Sequence, residues 1–260
     1  MTSGRIDDEL VDQWIEPHWA DPRSGLRQRV KAWVTTRAGC LSAHPYDGFN
    51  TANHVGDDPG HVAANRASLA EYFGWQAEPQ WLRQVHGAGV VEARPDGIER
   101  EGDAVFSRTP GQVCTLHTAD CLPAFFASAD GDAVALAHAG WRGLAEGVLE
   151  RTVEKLGVSP DQLRVWLGPA IGPDAFEVGD DVYQAFVQPD AGAAACFSRN
   201  HNGRWQCDIY SLARRRLNQA GVTAVTGGNF CTFHETRFFS YRRQGVTGRM
   251  LAMIWMEPES

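Results

Sequence analysis

The sequence predicts an α+β protein with a single domain over residues 30–260 and an irregular arm over residues 1–29. Three observations predict this fold class. Short apolar runs typical of strands outnumber helical stripes, hairpin signals join neighbouring strands, and a few capped helices separate them. No composition break or charged linker divides the 260 residues, which are enough to bury one large core.

The composition excludes several classes of function. The chain is 43% hydrophobic and 22% charged, and its formal net charge of −8 argues against a general nucleic-acid or anionic-membrane surface. The N-terminus has no apolar signal region, and no run reaches the roughly 18 residues that a membrane span needs, so we expect a cytoplasmic protein. Six cysteines without a Cys-x-x-Cys pair indicate free thiols. The expected ligand is small, and the expected state is a monomer or small homo-oligomer.

The first part of the chain predicts a strand, a long loop and a scaffold helix. After the arm, in which Trp14 and Trp19 are possible anchors, residues 30–36 read as a strand. Residues 45–54 are rich in turn formers and too long for an ordinary connection, which is typical of a lid or binding loop. Asp58 and Pro59 provide a helix N-cap and first turn, and Gly74 ends that helix.

The second part predicts a central hairpin followed by alternating helices and strands. Asp130-Gly131 favours a tight turn between two apolar runs. After a turn at Gly140, an apolar stripe predicts one helix that ends at Gly157. The predicted strands are residues 103–107, 112–118, 122–127, 133–137, 163–167 and 250–255, and the later helices are residues 180–188 and 208–219.

The hairpin predicts that a thiol and an imidazole meet. If Asp130 and Gly131 are the two loop residues, Pro123 pairs with His138, and Cys121 lies two residues along the same strand. Side chains two residues apart share a face, so Cys121 and His138 become diagonal neighbours, roughly 7–8 Å apart at Cα. A three- or five-residue loop would reverse the parity and separate them.

A third candidate ligand is His86, which ends an apolar run and precedes a glycine. His86, Cys121 and His138 together would make a three-ligand zinc set, which in proteins is typical of catalytic zinc with a fourth position for water or substrate. From the residues alone, a buried cysteine and satisfied core histidines are the more common interpretation.

Six ordered motifs resemble those of the YfiH family, whose members have been called multicopper polyphenol oxidases (laccase-like), peptidoglycan-editing factors, and purine nucleoside phosphorylases with adenosine deaminase activity. The resemblance implies a four-layer α/β/β/α sandwich related to cysteine hydrolases. It also implies a zinc ion held by His86, Cys121 and His138. The motifs are Gln-Val-His-Gly at 84–87, Thr-Ala-Asp-Cys-Leu-Pro at 118–123, His-Ala-Gly-Trp-Arg-Gly at 138–143, Leu-Gly-Pro-Ala-Ile-Gly at 167–172, Phe-Glu-Val-Gly at 176–179, and Phe-Phe-Ser-Tyr-Arg-Arg at 238–243 with Thr-Gly-Arg at 247–249.

The activity implied by the resemblance is zinc-dependent phosphorolysis of adenosine, inosine, guanosine or methylthioadenosine to the free base and ribose 1-phosphate, with adenosine deamination beside it. Such zinc sites lower the pKa of water to ~7. The candidate catalytic residues are Cys121, His138 and Asp120, the last as a proton shuttle.

Phosphorolysis also needs an anion site, for which Arg37, Arg142 and Arg243 are the candidates. Arg142 follows a glycine at the predicted start of a helix, where backbone N–H groups and the helix dipole favour an anion.

Three alternatives remain open. A copper-dependent laccase ranks below phosphorolysis, because close sets of copper ligands are expected there and the nine histidines include no His-x-His pair. A hydrolase acting on a peptidoglycan precursor would use Cys121 as nucleophile and His138 as base. A purely structural zinc site would need a fourth ligand, for instance His117.

Overall fold

The computed structural model describes residues 5–20, 25–39 and 41–258. The α-helices are α1 Asp8–Val11, α2 Leu26–Arg29, α3 Pro59–Phe73, α4 Trp141–Glu146, α5 Val148–Leu156, α6 Asp180–Val187, α7 Ile209–Gln219 and α8 Tyr241–Gln244, with 3-10 helices at Pro160–Gln162 and Ala191–Cys196. The strands are β1 Val30–Val34, β2 Leu82–Arg83, β3 Val90–Glu92, β4 Arg100–Glu101, β5 Ala104–Ser107, β6 Cys114–Thr118, β7 Leu122–Ser128, β8 Val134–Ala139, β9 Leu163–Leu167, β10 Glu177–Val178, β11 Phe197–Arg199, β12 Trp205–Cys207, β13 Ala224–Gly227 and β14 Met250–Met256.

A six-stranded mixed sheet forms the centre of the fold, in the order β13-β9-β7-β8-β5-β3. The outer pairs β13–β9 and β3–β5 are parallel, and the pairings of β7 with β9 and β8, and of β8 with β5, are antiparallel. Every residue of β7 and β8 is buried. Such strands read as continuous apolar runs because both faces of the sheet are covered.

A second, three-stranded antiparallel sheet, β1-β14-β6, covers one face of the central sheet. The core between the two sheets contains Phe125 and Leu136 from the central sheet, and Val34, Leu116 and Ile254 from the smaller one. Alternate residues along β14 point outward, as strand geometry requires.

Helices cover the outer faces of both sheets. Leu149 of α5 and Leu212 of α7 pack against the central sheet, while Leu69 of α3 packs with Leu251 and Met253 on the outside of the smaller sheet. The layers therefore run helix, sheet, sheet, helix. The predicted α+β class and four-layer sandwich are confirmed.

The hairpin register is as predicted, although its turn is different. Pro123 pairs with His138. Gly131 has a φ of 72°, but Asp130 is not among the described residues with positive φ, and Ser128 N donates to Ala133 O at 2.9 Å. The loop therefore has four residues, 129–132, instead of two. The loop is longer by one residue on each side, so the same residues of the two strands stay opposite each other and the same side chains share a face.

The predicted single helix over residues 141–157 is wrong in one respect. Gly147 has a φ of 92° and separates α4 from α5. An L-residue side chain disfavours that left-handed conformation, which glycine adopts readily. The chain therefore turns between two helices while the apolar stripe continues across the break.

The stretch predicted as an irregular arm contains the two single-turn helices α1 and α2. Trp14 and Trp19 are 5% and 7% exposed, consistent with the predicted anchors. Ile15 exchanges two backbone hydrogen bonds of 2.9 Å with Val34 of β1, so this part of the arm extends the smaller sheet. Residues 1–4 and 21–24 of the predicted arm lie outside the described residues.

Candidate metal centre

The three predicted ligands lie together. One ligand atom from each of His86, Cys121 and His138 lies within 4.8 Å of the others. His138 is in β8, Cys121 immediately precedes β7, and His86 lies in the turn after β2. The hairpin register thus brings two of the three residues together, and a separate loop supplies the third.

The backbone leaves space for this cluster at Gly140. A Cβ atom at this position would lie 3.0 Å from Cys121 Sγ and 3.4 Å from His86 Cδ2. Glycine permits the chain leaving β8 to pass close to the ligand side chains. A larger residue would displace them.

Asp103 holds the loop that carries His86. Its carboxylate, which is 0% exposed, accepts hydrogen bonds from the backbone N–H groups of Val85 (3.1 Å), His86 (2.9 Å) and Gly87 (2.8 Å). His86 has a φ of 61°, an uncommon conformation for a non-glycine residue. Three hydrogen bonds to one buried carboxylate stabilise this turn.

The same carboxylate orients His138. Asp103 Oδ1 lies 2.9 Å from His138 Nδ1. The hydrogen bond assigns the proton to Nδ1 and leaves Nε2 to face Cys121. A carboxylate behind a ligand histidine is the common second partner in metal sites, where it fixes the tautomer and the ring orientation. Sequence reasoning placed residue 103 at the start of a strand and missed this role; the available signal was an aspartate before a fully apolar run.

The electrostatics favour a thiolate. Burial raises the pKa of Cys121, but attraction to the His138 imidazolium, with hydrogen bonds from His138 and His86, outweighs burial and lowers the pKa to about 6. Burial lowers the pKa of His138, but Cys121 and Asp103 outweigh it and raise the pKa to about 9. The thiolate is the form of cysteine that binds metals.

The donor set fits zinc. One thiolate and two imidazoles are zinc ligands, and the three ligand atoms all lie within 4.8 Å of one another. Within residues 5–20, 25–39 and 41–258, no other histidine, cysteine or carboxylate joins this group. His117, the suggested fourth ligand, instead has Nε2 3.0 Å from Thr51 Oγ1 and stacks on Trp81. The set therefore has three ligands.

Two cavities adjoin the cluster. The polar chamber has a volume of about 360 Å³ and is lined by His54, Gln84, His86, His117, Thr118, Ala119, Cys121, His138, Tyr241 and Arg249. The second cavity, called the apolar chamber after its aromatic and aliphatic side chains, has a volume of about 260 Å³ and is lined by His86, Ala119, Asp120, Cys121, Trp141, Arg142, Ile171, Phe176, Ile209, Tyr241 and Arg242. His86, Ala119, Cys121 and Tyr241 belong to both, so the candidate metal centre lies where the chambers meet.

One of the three predicted phosphate-binding arginines lines a chamber. Arg142 lies over the Trp141 ring at 4.4 Å and lines the apolar chamber. Arg37 lines neither chamber and pairs with Asp47 at 2.7 Å. Arg243 also lines neither, and its side chain donates to three backbone carbonyl groups, those of Thr232, Phe233 and Phe238.

Asp120 lines the apolar chamber and has both carboxylate oxygens occupied. Oδ1 accepts from Thr232 Oγ1 at 2.6 Å and Oδ2 from Arg242 N at 2.7 Å, and Asp120 has a φ of 98°. It ties the loop before β7 to two later segments. Arg249, the last residue of the Thr-Gly-Arg motif, lines the polar chamber and is a site residue that the sequence did not predict.

One known family matches almost the whole chain. Residues 31–257 match the family described as "Multi-copper polyphenol oxidoreductase laccase". The chain belongs to this family, and its similarity to YfiH proteins is confirmed.

The relatives are similar over nearly the whole chain. A purine nucleoside phosphorylase of Pseudomonas aeruginosa is 53% identical, covering 95% of this chain and 100% of the relative. The purine nucleoside phosphorylase YfiH of Escherichia coli is 46% identical with the same coverage. A crystal structure from Neisseria meningitidis has a TM-score of 0.88 and 42% identity, covering 95% of this chain and 100% of that one.

In the part of the chain that the structure describes, no helix has the length and apolar character needed to cross a membrane.

Proposed function

We propose that this protein is a zinc-dependent purine nucleoside phosphorylase that also deaminates adenosine. The observation that carries the proposal is the three-ligand Cys–His–His cluster at the junction of two chambers. The names of the Pseudomonas aeruginosa and Escherichia coli relatives support it. Adenosine, inosine, guanosine and methylthioadenosine are the proposed substrates.

The apolar chamber suits a purine base. Trp141, Ile171, Phe176 and Ile209 supply aromatic and aliphatic surface, and Asp120 with Arg142 adds a few polar groups at the edge. Ligand pockets commonly combine a mainly apolar lining with a small number of polar groups that fix orientation. A planar base can therefore pack against the aromatic and aliphatic side chains of this chamber.

In phosphorolysis, a phosphate oxygen forms a bond to C1′ of the ribose while the bond from C1′ to the purine nitrogen breaks. The electron pair of that bond goes to the purine, which then takes up a proton. Asp120 is the proposed residue for moving a proton on the base side, because its carboxylate lines that chamber and is fixed by Thr232 and Arg242. Asp103 holds the proton on His138 Nδ1 and so presents Nε2 to the centre.

Zinc bound by His86, Cys121 and His138 would supply a Lewis acid that activates water, which is the chemistry that deamination requires. Glycine at position 140 and the buried carboxylate of Asp103 keep the ligands in place.

A metal-free hydrolase is the second candidate. Cys121, His138 and Asp103 form a thiol, imidazole and carboxylate chain, which resembles the arrangement of nucleophilic hydrolases. Amide cleavage in a peptidoglycan precursor would then be the reaction. The laccase chemistry in the family description needs several copper sites, and the described residues supply one His/Cys cluster, so it ranks third.

The test is incubation of metal-quantified protein with adenosine, with and without orthophosphate, followed by identification of products. We expect adenine and ribose 1-phosphate when phosphate is present and inosine when it is absent. The rate of product formation should be proportional to the amount of bound zinc. Zinc-loaded protein that forms none of these products would refute the proposal. Activity on a muropeptide that persists after chelation would favour the hydrolase.

A further inference from the structure

The polar chamber contains Arg249, which forms no ion pair with a carboxylate of the described residues but is attracted by the Cys121 thiolate and, more weakly, by Asp120. Arg249 lies directly before β14, where its backbone N donates to the buried Asn50 Oδ1 at 3.0 Å. Its side-chain Nη1 donates hydrogen bonds to the carbonyl oxygens of Thr247 (2.7 Å) and Gly248 (3.0 Å), and within residues 5–20, 25–39 and 41–258 the other guanidinium nitrogens have no hydrogen-bond acceptor. Among the described residues, no carboxylate forms an ion pair with Arg249, although the chain has a net charge of −8. Its remaining donors are available to a ligand in the chamber.

A buried hydroxyl group without a partner lies beside this arginine. Thr118 is 1% exposed, and its Oγ1 has no hydrogen-bond partner among the described residues. Thr118 ends β6 and pairs with Met250, the residue after Arg249, so the sheet register places both residues at the same edge. A buried polar group left unpaired costs free energy. A ligand that accepts a hydrogen bond in the chamber would satisfy it.

A second guanidinium group adds positive charge behind the chamber wall. Arg66 lies over the Trp81 ring at 3.9 Å, and Trp81 stacks on His117, which lines the chamber. Arg66 Nε donates to Thr51 O at 2.8 Å, while its buried Nη2 has no partner in the part of the chain described. Two arginines without ion-pair partners therefore favour an anion in the polar chamber.

We propose that the polar chamber is the orthophosphate subsite, in which Arg249 binds the phosphate oxygens and the Thr118 hydroxyl donates a hydrogen bond to them. This assignment rests on the proposed phosphorolysis. It places the attacking phosphate in one chamber and the departing purine in the other, with the ribose at the shared residues Ala119 and Tyr241. An arginine fork matches phosphate oxygens well.

The proposal differs from the assignment of phosphate to Arg37, Arg142 and Arg243. Two of these are bonded to Asp47 and to backbone carbonyl groups, outside both chambers. Arg142 lines the chamber assigned to the base, together with Asp120, Arg242 and the aromatic and aliphatic side chains. Arg249 and Arg142 can therefore be compared directly, because each lines one chamber beside the same metal centre.

The experiment measures orthophosphate binding by calorimetry in the zinc-loaded wild type, Arg249→Met, Arg249→Lys, Thr118→Val and the matched variant Arg142→Met. We expect phosphate affinity to fall about tenfold to a hundredfold in Arg249→Met and roughly threefold to tenfold in Thr118→Val. Arg249→Lys should recover part of the loss, and Arg142→Met should bind phosphate as the wild type does. Thr118→Val removes an unpaired buried hydroxyl, so this variant should fold even if Arg249→Met does not.

The outcomes separate this assignment from the proposed function. A wild type that binds phosphate through Arg249 but performs no phosphorolysis would support the subsite and refute the activity. A wild type that performs phosphorolysis, with phosphate affinity lost in Arg142→Met and kept in Arg249→Met and Thr118→Val, would overturn the subsite and leave the activity intact. Absence of phosphate binding in the wild type would also overturn it.

Discussion

At the scale of single residues, Asp103 holds two of the three candidate metal ligands, His86 and His138, in position. It binds three successive backbone N–H groups of the loop around His86 and also His138 Nδ1. In Asp103→Asn the side chain keeps its size, but one acceptor oxygen becomes an NH₂ donor that faces other donors. We expect zinc affinity to fall about tenfold to a hundredfold, as with other lost partners of ligand histidines.

This prediction is checked by competition with a chromophoric chelator. The matched control is Asp47→Asn, since Asp47 is half exposed and pairs with Arg37 away from both chambers. Equal zinc affinity in Asp103→Asn and wild type would mean that the ligands hold their positions without this carboxylate.

Removal of the thiol should separate metal binding from folding. We expect about one zinc per chain in the wild type and none in Cys121→Ala, because two imidazoles alone bind zinc weakly. The fold should survive, since the core between and around the two sheets does not depend on a metal. Metal quantification and thermal unfolding followed by circular dichroism give both readouts. Full zinc retention in the variant would reject the site.

The sequence predicts the contacts between the two strands of one hairpin, but it does not predict contacts between segments that are far apart in the chain. The pairing of Pro123 with His138 follows from the turn and from strand periodicity. The hydrogen bonds of Asp103, and the position of Arg249 beside Thr118, depend on pairings between strands far apart in the chain. No local pattern encodes these pairings, so both residues were missed.

At the scale of elements, the N-cap of α3 stabilises that helix by an amount that can be measured. Asp58 Oδ1 accepts hydrogen bonds from Gly60 N at 2.8 Å and His61 N at 3.1 Å, at the start of a 15-residue helix. Asp58→Ala should lower the free energy of unfolding by about 0.5–2 kcal/mol, because these N–H groups lose their acceptor.

Urea denaturation measures this change. Glu71→Ala is the control in the same helix, since the Glu71 side chain is 65% exposed and its ion pair with Arg5 lies at 3.4 Å. An exposed pair of this kind contributes little. The capping interpretation would be wrong if both variants lost the same stability.

The bounds of elements that begin and end at capping residues were predicted most accurately. α3 begins and ends at its predicted cap residues, Asp58 and Gly74. β3, β10, β11, β12 and β13 have between two and four residues each and were missed. Such runs are too short to show alternation, and their strand conformation comes from neighbours in the sheet. The break at Gly147 was missed because the apolar stripe continues through it.

At the scale of the whole molecule, His117 should make stability depend on pH. Burial, followed by repulsion from Arg66, lowers the pKa of His117 well below its usual value, so the imidazole is neutral in the folded protein. In the unfolded chain it binds a proton below pH ~6.5. Below that pH the unfolded state binds more protons, so stability is lost as the pH falls, by up to about 1.4 kcal/mol per pH unit from this group.

His117→Gln keeps a side chain able to hydrogen-bond with Thr51 but does not titrate. The difference in free energy of unfolding between wild type and variant, measured in urea at pH 7 and pH 5, should therefore change in favour of the variant at the lower pH. A difference that is independent of pH would show that His117 is not neutral in the fold.

The fold class and the packing of the layers were predicted from different kinds of information. Hydrophobic periodicity alone indicates an α+β class, because it identifies strands and helices one at a time. The packing of one sheet on another followed from the resemblance to a known family. Residue patterns could not supply it, because both faces of β7 and β8 are buried and show no polar side.

The origin of the three ligands in separate segments has a thermodynamic consequence. His86, Cys121 and His138 come together only when the hairpin and the loop held by Asp103 are both formed, so the unfolded chain offers no equivalent set. An ion that binds only the native state shifts the folding equilibrium by mass action, by about 4 kcal/mol when its free concentration is a thousand times its Kd. The supply of free metal would then set how far the free energy of unfolding rises above that of the metal-free chain, which already folds, as well as the fraction of chains that are active.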